Sequence, residues 1–307
     1  MTEPLPNPER FWKPRAELRE VTRAEVERRI GSFAGPLTLL SGGLANANVL
    51  VDGRVLRIYR RDPGALAVEA ALLRRPWSSL RVPAILSTGE DFLLLEYVPH
   101  GPVLGSAEHG AAVGRALAEI HALSFEQAGF LTPELGMGQP FPDLVTSLVD
   151  YARSLMPGAE LELGPELAGQ LLHALESNAP ALRAAAGEPV LLHADFKASN
   201  LHWTNDQRLL VLDWEFAYSG SRLSDIGQLL RWAPPEAFVR AFERGYVEAG
   251  GVLPAEFRKW AALLDLVNLA GLVAHLSGTG TGTGTGTDSD ERVRDVRERI
   301  ARTLALA

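Results

Sequence analysis

The chain has 307 residues, 46% hydrophobic and 22% charged, a composition that fits a folded globular protein and excludes a disordered or fibrous one. With 30 basic and 38 acidic side chains the net charge is −8, which disfavours nucleic acid as a partner, and the lack of cysteine removes disulfides, thiol nucleophiles and thiolate metal centres. The proline-rich, charged start has no apolar signal core, and the apolar stretch Leu263–Leu276 is interrupted by Asp265, Asn268 and His275 and falls short of the ~20 residues a membrane span requires, so a soluble cytoplasmic protein with no membrane partner is expected.

In chain order, Leu18, Val21, Val26 and Ile30 recur at helical spacing and predict a helix over 16–34. The period then shortens. Strands are expected at Leu37–Leu40, Ala47–Val51, Val55–Tyr59 and Phe92–Tyr97, with Asp52-Gly53 as a hairpin signal and a helix over 65–75 between the last two. After Val98 the chain turns alanine- and leucine-rich, predicting helices over 107–123, 141–155, 164–185, 222–233, 235–249 and 254–277. One strand–loop–strand island interrupts them at 189–216. Residues 278–287 alternate glycine and threonine, as a flexible linker would, and Val293, Val296, Ile300 and Leu304 mark an amphipathic helix over 288–307. The expected organisation is an α+β chain with a sheet-rich lobe over 1–97, a helical lobe over 98–277, and a ligand cleft where they meet.

The island carries the chemistry. It reads Pro189-Val-Leu-Leu-His193-Ala194-Asp195-Phe196-Lys197-Ala198-Ser199-Asn200-Leu201, then Leu209-Leu-Val-Leu-Asp213-Trp214-Glu215. Two apolar runs each deliver an acidic residue into a loop, and an asparagine follows the first by five positions. Over roughly residues 35–275 the sequence resembles the aminoglycoside phosphotransferase/choline kinase-like family of small-molecule kinases. That resemblance implies a bilobal protein-kinase-like fold, with an N-terminal antiparallel sheet lobe holding one main helix and a larger helical C-terminal lobe. It also implies transfer of the γ-phosphate of ATP, or GTP, to a hydroxyl of a small molecule.

Phosphoryl transfer needs an aligned hydroxyl, neutralised phosphates and a proton acceptor. The resemblance implies Asp195 as that acceptor, and Asn200 and Asp213 as oxygen ligands of Mg²⁺ bound with the nucleotide. Lys197 stands where protein kinases carry a phosphate-contacting lysine, or is a solvated loop residue. Glu215 assists metal or substrate binding or is solvated, His193 shapes the loop, and Asp225 braces it or caps a helix. The family's usual His-Gly-Asp reads His193-Ala194-Asp195, tolerable unless the backbone there has a positive φ.

In the sheet lobe, Gly42, Gly43 and Asn46 lie in the position of the phosphate-covering loop, or form a plain hairpin. Arg57 takes the place of the strand lysine and would contact the α/β phosphates and pair with Glu69, with Arg54 and Arg60 as competitors. Glu96, Tyr97 and Val98 match the hinge whose backbone would hold adenine. For the acceptor, Asp265 and Asn268 on an apolar helix are cleft candidates or partnered core polars, and Asp143, Asp150, Glu160 and Glu162 form an acidic substrate side or a solvated surface. The alternative function is a catalytically silent nucleotide-binding pseudokinase acting as a regulatory module.

Overall fold

The computed structural model describes residues 2–12, 20–40, 46–60, 63–277 and 287–306. Helix α1 (Arg23–Ile30) starts where the Thr22 hydroxyl accepts the Glu25 N–H and stops at Gly31. Of the predicted 16–34, residues 16–19 lie outside the described residues, 20–22 are not helical, and the helix stops before 34 because Gly31 turns the chain with φ of 79°. Strands β1 (Thr38–Leu39), β2 (Asn46–Val51) and β3 (Arg54–Tyr59) follow, the last two joined at Asp52-Gly53, both with positive φ, the backbone a two-residue hairpin requires. After α2 (Pro63–Arg74) come β4 (Ile85–Thr88) and β5 (Phe92–Glu96), completing a five-stranded antiparallel sheet in the order β1-β2-β3-β5-β4.

Alternation along β3 divides its side chains. Leu56 and Ile58 join Val26, Val49 and Phe92 in a small core on the α1 side, while Val55 and Tyr59 pack on the core shared with the helical lobe. Arg57 lies between these two in register and is therefore on the lobe-junction face.

The helical lobe opens with β6 (His100–Pro102) and α3 (Ala107–His121), then a hairpin of β7 (Gly129–Leu131) and β8 (Met137–Pro140). Long helices α4 (Leu144–Leu163) and α5 (Pro165–Ala186) follow, then the island: β9 (Val190–Leu192), β10 (Leu201–Thr204), β11 (Leu209–Val211) and β12 (Tyr218–Gly220). The remaining helices are α6 (Leu223–Leu230), α7 (Glu236–Glu248), α8 (Phe257–Ser277) and α9 (Thr287–Leu304). Helices α3 and α7 cross closely: a Cβ at Gly114 would stand 2.2 Å from the Phe242 carbonyl oxygen, and one at Gly245 would stand 2.4 Å from that of Ala111.

Sequence and structure differ at a few points. Strand β4 and the β7–β8 hairpin were not expected. Helix α4 runs through Pro157 and ends only at Leu163. Residues 278–286 of the Gly-Thr tract lie outside the described residues, and Thr287 already belongs to α9.

The lobes are joined near the island. Arg81 N–H donates to the Leu209 carbonyl (2.7 Å) and Val211 N–H to that of Arg81 (3.0 Å), while Trp77 stacks on Trp214 with ring centroids 5.4 Å apart. The sheet lobe thereby grips β11, the strand that leads to Asp213.

Candidate active site

The loop after β9 is shaped from behind. The buried Asp225 carboxylate at the start of α6 accepts the backbone N–H of His193 (2.9 Å) and of Ala194 (2.8 Å). Gln228, one turn on, accepts from Phe196 N–H and donates to the Ala194 carbonyl. His121 Nε2 lies 3.2 Å from Asp225, and burial holds the His121 pKa below the usual histidine value, so the neutral ring donates to that carboxylate and accepts from the Tyr246 hydroxyl at Nδ1. His193 is fully buried; its Nδ1 accepts from Asp195 N–H, which leaves Nε2–H to donate to the Leu212 carbonyl (2.9 Å). It therefore ties the two acidic loops together. Ala194 is held at φ +62°, the left-handed region that costs a side-chain-bearing residue about 1–2 kcal/mol. The condition under which alanine in place of glycine is tolerable is thus not met, and the hydrogen bonds to both of its backbone polar groups hold the strain.

Asp195 is one-fifth exposed. Its Oδ2 accepts from Asn200 Nδ2 (2.8 Å) and its Oδ1 lies 3.0 Å from Lys197 Nζ. Asn200 spends its amide N–H₂ on Asp195, so Oδ1 is its available ligand atom. Asp213, at φ +69° and 22% exposed, pairs with Arg57 Nη2. Arg57 also lies 3.1 Å from Glu69, which accepts the Tyr59 hydroxyl at 2.5 Å, and 3.7 Å from Glu215. Glu215 in turn accepts from Asn46 Nδ2. Burial opposes the Arg57 charge, but Glu69 and Asp213 outweigh it and raise the guanidinium pKa, keeping it cationic throughout. Arg54 and Arg60 are engaged elsewhere, 3.9 Å from Asp52 and 3.5 Å from Glu25. Among the three arginines, Arg57 alone reaches Asp213.

These groups form two sets, Asn46, Glu215, Arg57, Glu69 and Asp213 in one and Asp195, Asn200 and Lys197 in the other, on loops that His193 and the Leu212 N–H to Asn200 carbonyl bond tie together. The oxygen donors of Asn200, Asp213 and Glu215 are hard ligands of the kind Mg²⁺ takes alongside nucleotide phosphates, and in that chemistry they fit such an ion. Gly42 and Gly43 lie outside the described residues. At the hinge, the Glu96 side chain turns away to Arg81 (2.7 Å) and the Ala84 N–H, Tyr97 is exposed, and Val98 is buried with its carbonyl engaged by His100 Nδ1 (2.6 Å). Any role in holding a base falls to the backbone.

A family model described as the phosphotransferase enzyme family matches residues 36–263. The chain belongs to that family. It is 27% identical over 192 residues to a chloroplastic protein-ribulosamine 3-kinase of Arabidopsis thaliana, an alignment spanning 58% of this chain and 57% of that relative. Among solved structures, the family fold is shared with the aminoglycoside phosphotransferase APH(4)-Ia bound to ADP and hygromycin B (TM-score 0.64, 17% identity, 92% of this chain and 97% of that one). It is shared also with a choline/ethanolamine kinase family protein from Mesorhizobium loti (TM-score 0.59, 18% identity, 92% and 97%). The protein-kinase-like arrangement of sheet lobe and helical lobe is therefore that of this phosphotransferase family.

Of the residues expected to face an acceptor, Asp265 is fully buried in a two-point pair with Arg231 (2.7 and 2.8 Å), with Asn268 donating to it at 3.2 Å. The core-polar alternative describes Asp265. Asn268 is half-buried and lines a small cavity behind the loop with Ala194, Tyr218 and Gln228. Asp143 caps α4 and pairs with Arg183, and Asp150 pairs with Arg153, all at the exposed surface. Sequence reasoning did not find Glu9, Arg231 or Trp232. The Glu9 carboxylate lies 2.9 Å from Lys197 Nζ and accepts from Arg231 Nη1 (3.1 Å) and Trp232 Nε1 (3.0 Å). No periodicity or spacing links residue 9 to residues 197 and 231.

No helix among the described residues is long and apolar enough to cross a membrane.

Proposed function

We propose that the chain is a small-molecule kinase that moves the γ-phosphoryl group of ATP or GTP to an acceptor hydroxyl. The observation that carries this is the cross-lobe contact of Arg57 with Asp213 together with the Asp195–Asn200 pair on the neighbouring loop, which His193 ties to the Asp213 loop, in a chain of the phosphotransferase family. In such a reaction positioning and electrostatics supply most of the acceleration. Asp195, fixed by Asn200 and Lys197, takes the proton of the acceptor hydroxyl as the oxygen attacks phosphorus. Arg57 exchanges Asp213 for phosphate oxygens, which it grips at two points. Asn200 and Asp213 would hold Mg²⁺, whose charge offsets that of the phosphates. Lys197, whose pKa is raised by Asp195 and Glu9 against the effect of burial, stays an ammonium and serves as a fixed charge rather than a base. A cytoplasmic setting, where nucleoside triphosphates are abundant, is compatible with this reading.

For the acceptor, the relatives mark out a range: ribulosamines on proteins, aminoglycosides, macrolides and amino alcohols. The test is ADP or GDP release with Mg²⁺–nucleotide over aminoglycosides, a macrolide, amino alcohols, ketosamines and sugars. Acceptor-dependent release that vanishes in Asp195→Ala is the expected outcome. Nucleotide binding with no release for any acceptor would return the chain to the silent-module alternative.

A further inference from the structure

We propose that Glu9, on the N-terminal segment, is a positioning residue for Lys197: it fixes the ammonium beside Asp195, where it meets the terminal phosphate of the donor nucleotide. This rests on the phosphotransferase reading and adds to it a residue outside the segment matched by the family model.

A lysine side chain is long and loses up to about 2 kcal/mol of rotamer freedom when it is fixed. Left to itself two positions after Asp195, it would have that carboxylate as its nearest counterion. Here the ammonium is shared, 3.0 Å from Asp195 Oδ1 and 2.9 Å from Glu9 Oε2. An ammonium has three N–H donors, so one is left for an incoming phosphoryl oxygen.

Glu9 is itself held. Its Oε1 accepts from Arg231 and Trp232, and Arg231 is locked in turn by the two-point pair with Asp265. The short 3-10 turn Pro8–Phe11 that carries Glu9 contributes no buried residue itself and is held between Leu5, buried in the core, and Trp12, which packs edge-on against Trp232. Just before it, Leu5 N–H donates to the Val103 carbonyl (3.0 Å) and Gly105 N–H to that of Glu3 (2.8 Å). These contacts tether the segment to the chain just past the hinge. Burial works against the Glu9 charge, but Lys197 and Arg231 bring its pKa down to about 2, so the contact persists at any working pH. The segment therefore runs from the hinge side of the cleft to the one lysine of the catalytic loop.

The experiment measures, by calorimetry on the full chain with Mg²⁺, the affinities for ADP and for AMPPNP, which adds a non-transferable terminal phosphate. In the wild type AMPPNP should bind more tightly. Glu9→Gln and Lys197→Ala should each cut that advantage about tenfold, the size of one charge-assisted contact, leave the ADP affinity within about twofold, and add nothing when combined. Trp232→Phe, which removes one donor to Glu9, should reproduce part of the loss in a protein that keeps the other contacts. A purely structural Glu9 would lower both affinities together, and that outcome overturns the proposal. So does an unchanged ratio in Glu9→Gln beside a reduced one in Lys197→Ala, or a gain in AMPPNP affinity, which would make the segment an inhibitory cover. Failure of the wild type to bind adenine or guanine nucleotides would instead overturn the phosphotransferase reading on which the proposal stands, whereas full turnover in Asp195→Ala would remove only Asp195 from its assigned role.

Discussion

Two buried arginines flank the loop after β9, and they are built differently. Arg231 faces Asp265, which is fully buried, through two hydrogen bonds in one plane, and Glu9 and Asn268 complete the group. Arg57 faces three carboxylates, of which Glu69 is buried whereas Asp213 is 22% exposed at the mouth of the cleft. A pair closed on every side is fixed structure. A pair with one solvent-facing partner can trade that partner for a ligand, because water and phosphate can take over what the pair gives up. Charge around Arg57 is therefore exchangeable, and charge around Arg231 is fixed.

Several substitutions would break or sharpen this contrast. Asp195, at the boundary of the two networks, should matter most: Asp195→Ala should lower acceptor-dependent ADP release by ~10²–10⁴-fold with little change in melting temperature. On the fixed side, Arg231→Met should leave Asp265 buried and unpaired and cost about 3–5 kcal/mol in urea unfolding, far more than it costs nucleotide affinity. If it left stability unchanged, the network would not be fixed.

Acid should loosen the same side. The folded-state pKa of Glu9, about 2, lies below its unfolded value, so its stabilisation is complete above pH ~4.5 and is lost as pH falls toward 2. That part of the acid sensitivity, on the order of 3 kcal/mol, should disappear in Glu9→Gln when unfolding is followed across this window.

On the exchangeable side, Arg57→Ala should weaken nucleotide binding at least about tenfold while acceptor affinity holds, and its loss of stability should be smaller than that of Arg231→Met. Equal losses in the two variants would erase the distinction. The smallest effect is a gain: Ala194→Gly removes a left-handed alanine and should raise stability by roughly 0.5–1 kcal/mol, part of the relief being offset by a more flexible unfolded chain, with turnover retained.

What was legible in the sequence follows the same line. Arg57 could be placed because strand alternation leaves one of three nearby arginines on the face of Val55 and Tyr59. The island could be placed because two buried three-residue strands read as apolar runs ending in acids. Strand β4 escaped notice because it is an edge strand with three exposed residues of four, carrying no alternation that burial would impose. At Pro157-Gly158 the local signal for a helix end was overridden by tertiary packing: a Cβ at Gly158 would meet the Ala274 carbonyl at 2.6 Å, so the close approach of α8 carries α4 past its proline. Asp265 and Asn268 stood out as polar interruptions, but their partner Arg231 lies 34 residues from Asp265, and only the fold brings the two together. Glu9 left no trace at all.

The contact between Arg57 and Asp213 has a kinetic consequence. Arg57 and Asp213 neutralise each other across the lobes, so on the proposed reading entry of a nucleotide would swap one set of partners for another and leave no bare cation behind. Departure of the spent nucleotide would be helped in the same way, with the carboxylate beside the guanidinium to reclaim it. A resting enzyme that is its own counterion can let go of its product quickly.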